Sequence, residues 1–195
     1  GDIYIKKHMD GVIFAGEVDI RVIEEFRKQS IPVVLVNNYL DMDGLVCISA
    51  DHYGGAVQAT EYLCKLGHCK IGLLSGRFSP QVSEARIEGF VKTLAKYDIP
   101  VDDRFIADIE PALEDGEEIM TRMLREVDRP TAFFCTNDTI AAGAMKAVTR
   151  AGLRVPEDIA IIGFDDSYIS RVVEPELTTV RIDAAKMLSL IHISE

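Results

Sequence analysis

The feature that most constrains this chain is an alternation. Short runs of apolar residues take turns with longer stretches whose apolar residues recur every three or four positions. VIFAG (12–16), PVVLV (32–36) and LVCIS (45–49) are the first short runs, with Ile20, Ile23 and Phe26 marking a helix between the first two. KIGLLS (70–75), FIADI (105–109), TAFFC (131–135), IAIIGF (159–164) and LTTVRI (177–182) continue the series. The spacing predicts helices over 55–66, 81–96, 116–127 and 139–151, with Gly67 and Gly152 where two of them stop. In the first of these, Ala56, Ala59, Leu63 and Leu66 are expected to face inward. Strands that are apolar on both faces must be covered on both, and a helix between successive strands makes them parallel. The fold class is therefore α/β, with doubly wound parallel sheets and right-handed crossovers.

In open sheets of this kind, ligands bind in the crevice beyond the carboxyl ends of the strands. The residues at those ends are polar. Run 32–36 leads into Asn37-Asn38, 70–75 into Ser75-Gly76-Arg77, 131–135 into Thr136-Asn137-Asp138, and 159–164 into Asp165-Asp166-Ser167. Arg86 lies in the helix that follows 70–75. Amides, carboxylates and a guanidinium suit a small polyhydroxylated ligand, because each hydroxyl both donates and accepts. The same residue types also cap helices. Asp138 is expected to cap helix 139–151, while Asn137 and Asp165 are expected to face the ligand. Arg86 either reaches the crevice or forms a surface salt bridge.

Other classes of function find little support. The net charge is −11, and residues 98–128 hold eleven acids against three arginines, so the chain should repel a nucleic-acid backbone. No apolar run approaches the roughly 20 residues that span a bilayer. The opening GDIYIKKHMDG lacks the apolar centre of a signal peptide. Cys47 and Cys135 sit in apolar runs and read as small core residues. Cys64 and Cys69 bracket His68 without a second ligand pair, so reduced thiols in a cytoplasmic protein are expected, and no metal or other cofactor. There is no Walker loop, no G-x-G-x-x-G after the first strand and no H-E-x-x-H. Gly72-Leu-Leu-Ser-Gly places its serine one position too late for a nucleophile elbow, and the chain is not expected to be an enzyme.

The stretch PTAFFCTNDTIAAGAMKAVTRAGLRVPEDIAIIGFDDS (130–167) resembles the LacI/GalR family of transcriptional repressors. DGVIFAG (10–16), IPVVLVNN (31–38), GGAVQATEYLCKLGHCKIGLLSG (54–76), ARIEGF (85–90) and PELTTVRID (175–183) match in the same order. The resemblance implies a two-lobed periplasmic-binding-protein-like fold with an incomplete N-terminal lobe and an effector held between the lobes. Residues 1–49 would belong to the N-terminal lobe, 50–177 to the C-terminal lobe, and 178–187 to a return crossing. The tail LSLIHISE (188–195) resembles a translated sequencing adapter and is read as non-native. By its motifs the resemblance assigns ligand contacts to Arg86, Asn137 and Asp165. Asn37 stands where the family often carries an Asp, and Glu110 where a ligand-facing residue varies. The implied protein is a cytoplasmic homodimer that senses a sugar, nucleoside or phosphorylated metabolite. It would grip operator DNA through a helix-turn-helix outside this sequence. The alternative is a periplasmic receptor of a sugar transporter, built on the same fold.

Overall fold

The computed structural model describes residues 9–16, 18–36 and 42–182. The chain divides into two compact units, with the boundary between Ala50 and Asp51.

In the first unit, β1 (Val12–Ala15), β2 (Val33–Val36) and β3 (Val46–Ile48) form a parallel sheet in that order, with α1 (Ile20–Lys28) between β1 and β2. Asp19 caps α1 by accepting from the Arg21 amide at 2.9 Å. The three-residue spacing of Ile23 and Phe26 puts both on one face, where they bury against Val33 and Leu35. Phe14 meets Phe26 edge to face, 5.6 Å between ring centres. Cys47, expected in the core, is exposed on β3, which pairs among the described strands with β2.

The second unit, Asp51–Ile182, runs through α2 (His52–Lys65), β4 (Ile71–Gly76), α3 (Pro80–Lys96), β5 (Ile106–Ile109), α4 (Leu113–Met123), β6 (Ala132–Cys135), α5 (Asp138–Arg150), β7 (Ala160–Asp165), α6 (Ile169–Val172) and β8 (Thr178–Arg181). Its five strands are all parallel, in the order β5-β4-β6-β7-β8. The period-two alternation of the strands sorts the core into two layers. Ala132 and Phe134 of β6 join Leu73, Phe164, and Ala56, Leu63, Phe90 and Leu94 of α2 and α3. Phe133 and Cys135 face the other way, onto Leu74 and onto Met120, Ile140, Ala144 and Val148 of α4 and α5. Phe133 and Phe134 are wholly buried, and each side chain contributes about 1.5–3 kcal/mol by leaving water.

Helices α4 and α5 touch almost backbone to backbone. A Cβ on Gly143 would lie 2.0 Å from the Leu113 carbonyl oxygen, and one on Gly116 would lie 2.4 Å from that of Ile140. Several element boundaries differ from the periodicity: the helix expected over 116–127 runs Leu113–Met123, and α2 begins at His52 rather than residue 55. Helix α2 ends at Lys65, leaving Leu66 exposed rather than inward, and Phe105 sits in a 3₁₀ turn before β5. The last run read as a strand, LTTVRI, supplies β8, which pairs with β7, Gly163 opposite Thr179. The tail 188–195 lies outside the described residues.

The strand order opens a crevice. Strand β4 is followed by α3 on one face of the sheet, and its neighbour β6 by α5 on the other. The two loops therefore leave in opposite directions at the carboxyl ends of adjacent strands, the position where open α/β sheets hold ligands.

Candidate functional site

Arg86 occupies this place. It projects from α3 and is only 3% exposed. Its guanidinium donates to the Thr136 carbonyl at 2.5 Å, stands 3.2 Å from His52 Nδ1, and lies 3.4 Å from Asp165 Oδ1. The rings of Phe78 and Phe164 cover it at 4.8 and 4.2 Å, so cation–π attraction replaces part of the lost hydration. Of the two roles open to Arg86, the surface salt bridge is excluded by this burial. The Thr136 hydroxyl ties the two loops together by accepting from the Gly76 amide at 2.7 Å.

His52, the first residue of α2, is the member of this cluster that sequence reasoning did not single out. Burial, and then the charge of Arg86, hold its pKa down to about 4. It is neutral at pH 7. Because a guanidinium only donates, Nδ1 must accept and the ring proton resides on Nε2.

Asp165 ends β7 with φ of 105°, and Asp166 follows with φ of 51°, two non-glycine residues in the left-handed region. The Asp165 carboxyl is pushed up to about 6, chiefly by burial; Arg86 pulls it down, and the nearby Asp138 charge pushes it further up. At pH 7 it is ionised but easily protonated, and its side chain keeps 37% exposure.

The capping role expected of Asp138 falls to Asn137. Asn137 is the N-cap of α5, its Oδ1 accepting from the Ile140 amide at 2.8 Å. Asp138 does not cap. It is buried, accepting from the Ser167 amide at 2.6 Å and the Thr179 hydroxyl at 2.5 Å. The helix starts one residue earlier than its periodicity suggests, because Asp138 is drawn to partners 29 and 41 residues further on.

Glu110, at the end of β5, is exposed and paired with Arg77 at 3.1 Å, and Arg77 also holds Asp108. Among the described contacts none joins this surface trio to Arg86. Asn37 lies outside the described residues. Among the described residues no three His, Cys, Asp or Glu side chains converge as a metal donor set. No described helix is long and apolar enough to cross a membrane.

Parallel sheets wrapped by helices, with a crevice of convergent polar groups at the strand ends, define an effector-binding domain of the periplasmic-binding-protein-like class. Comparison with known proteins agrees: the family of periplasmic binding protein-like domains matches residues 60–191. The probable HTH-type transcriptional repressor ExuR of Bacillus subtilis is 35% identical over 192 residues, covering 93% of this chain and 58% of that protein. The HTH-type transcriptional repressor PurR of Actinobacillus pleuropneumoniae serotype 3 is 37% identical over 189 residues, covering 95% and 56%. Among solved structures, a sugar-binding LacI-family regulator from Escherichia coli, complexed with phosphate, superposes with a TM-score of 0.82 at 28% identity, covering 94% of this chain and 66% of that one. A LacI-family regulator from Enterococcus faecium with bound ribose gives 0.80 at 28% identity, covering 95% and 73%. The chain belongs to the LacI family of transcriptional regulators, as part of the effector-binding domain. It spans a little over half the length of the two repressors, which are named as regulators and not as enzymes.

Proposed function

We propose that this chain senses a small effector for a LacI-type repressor, holding a sugar or sugar derivative at the carboxyl ends of β4, β6 and β7. The observation that carries this reading is the Arg86–Asp165 pair. Burying two charges costs several kcal/mol per ion and is repaid only by good geometry, so a pair of this kind contributes little to stability. A fork of donors beside a carboxylate recognises adjacent hydroxyls well. A ligand hydroxyl would donate to Asp165 and accept from Arg86. Asn137 spends its Oδ1 on the helix cap and keeps its amide N–H groups to offer. Glu110 would join only by exchanging Arg77 for ligand, and Asn37 is assigned a contact by its place after β2. The ribose-bound and sugar-binding relatives support a carbohydrate. The repressor relatives support a cytoplasmic sensor over a transport receptor. In the whole protein, a homodimer, ligand would set the grip of a helix-turn-helix on its operator.

A thermal-shift screen tests this, with D-ribose, other monosaccharides and sugar phosphates on the chain and on Arg86→Lys. The variant keeps the charge and loses the fork. A sugar at about a hundred times its Kd stabilises the native state by about 2.7 kcal/mol. The expected result is a rise in melting temperature that shrinks sharply in the variant. Stabilisation by none of the sugars, or by equal amounts in both proteins, refutes the reading.

A further inference from the structure

We propose that Asp138 is a positioning residue for this site, its two carboxylate oxygens clasping the turn after β7 and strand β8 so that Asp165 is held against Arg86. The inference rests on the reading of Asp165 as a ligand-binding residue.

Asp138 is 1% exposed and bonds nothing in its own helix turn. Its Oδ2 accepts from the Ser167 amide, two residues beyond Asp165. Its Oδ1 accepts from the Thr179 hydroxyl, which in turn accepts from the Asp166 amide at 3.3 Å. One carboxylate thus fixes two consecutive amides of the turn, one directly and one through β8. The Asp166 carboxylate is held from outside by Arg181 at 2.6 Å and Arg171 at 3.6 Å.

Two further observations show that the place was built for this carboxylate. The backbone of Asp165 and Asp166 lies in the left-handed region, which costs on the order of 1 kcal/mol per non-glycine residue and persists only where neighbours over-determine it. The clasp supplies that determination. Gly163, opposite Thr179, leaves the space that Asp138 fills: a Cβ there would lie 2.4 Å from Oδ1.

The clasp also carries an electrostatic cost. Asp165 faces Arg86 from α3, which favours its ionised form, and Asp138 from α5, which disfavours it. A second carboxylate beside the ligand carboxylate gains nothing as a charge. Its contribution is geometric: it orders the turn that aims Asp165. His52 from α2 is neutral and touches Arg86 rather than the clasp.

The test uses NMR on the whole chain without ligand, following the Asp165 carboxyl carbon against pH and the exchange of the Ser167 and Asp166 amides relative to those of β4. In Asp138→Asn, the Asp165 midpoint should fall by about half a pH unit or more as a like charge is removed. The Ser167 amide should exchange about ten- to a hundredfold faster, as expected for losing a bond to a charged acceptor. Thr179→Val keeps the charge and removes the second arm, so Asp166 should exchange about tenfold faster. If Asp138→Asn fails to fold, Thr179→Val decides alone. Folded variants in which neither amide nor the Asp165 midpoint moves, relative to β4, overturn the proposal. If these shifts occur but Asp165→Ala binds every sugar of the screen as the parent does, the ligand reading has failed while the clasp stands.

Discussion

Replacing Asp165 by Asn should stabilise the chain at neutral pH while weakening its ligand binding. The carboxyl titrates at about 6 in the folded protein against an ordinary value of 3.8. The folded state therefore binds this proton more tightly than the unfolded state does. Between those two pH values stability falls as pH rises, and above about 6 the full cost of the buried charge is present. At about 1.36 kcal/mol per unit the ceiling is about 3 kcal/mol. The side chain is 37% exposed, and solvent screening reduces this to about 1–2 kcal/mol. Asn has nearly the same shape, tolerates positive φ, and removes the charge. For a chain of this size each kcal/mol moves the melting temperature by about 2–4 °C, so a gain of about 2–8 °C is expected at pH 7.5. Near pH 4 the gain should vanish. His52 titrates in the same range, but it does so in both proteins and cancels in the difference. Loss of a charged acceptor should meanwhile cost about 1.5–3 kcal/mol of ligand binding, one to two decades in Kd. Melting curves from pH 4 to 8 on both proteins are the assay. An Asn variant that melts no higher than the parent at pH 7.5, or that gains equally at pH 4, refutes this account of Asp165.

Asn137→Ala removes the cap on Ile140 and should cost about 1 kcal/mol in urea unfolding, with the midpoint lowered and the slope unchanged. An unchanged midpoint would mean that water or Thr136 caps α5 instead. Gly143→Ala drives a methyl into the Leu113 carbonyl and should destabilise by about 1–3 kcal/mol in the same assay. Arg150→Ala removes one of two cations from Glu117 on the α4–α5 surface. It should shift the urea midpoint by less than about 1 kcal/mol, and a larger loss would show that this exposed network does more than surface pairs usually do.

Much of this molecule was legible along the chain. Apolar runs bounded by polar residues and joined by three-to-four-residue periodicity can bury their side chains only in a parallel sheet covered on both faces. Phe133 and Phe134, adjacent in sequence and buried in opposite layers, are that requirement met at two residues. The sequence also located polar groups at the strand ends, since a parallel sheet collects there whatever follows each apolar run. Arg86 and Asp165, 79 residues apart, meet there.

What the sequence left open was decided by contacts between residues far apart in it. Local rules allow either Asn137 or Asp138 to cap α5. The choice falls to Asn137 because Ser167 and Thr179 supply Asp138 with buried donors, and no local propensity encodes them. LTTVRI reads as a strand from its own composition, but its place beside β7 depends on the partner that completes its hydrogen bonds. Cys47 looks like a core residue because its run is apolar, yet it is exposed, because an apolar run alone does not say which of its faces is covered. Periodicity determines which side chains must leave water. Only the tertiary fold determines which polar groups leave with them, and each of those needs a specific partner that burial alone does not name.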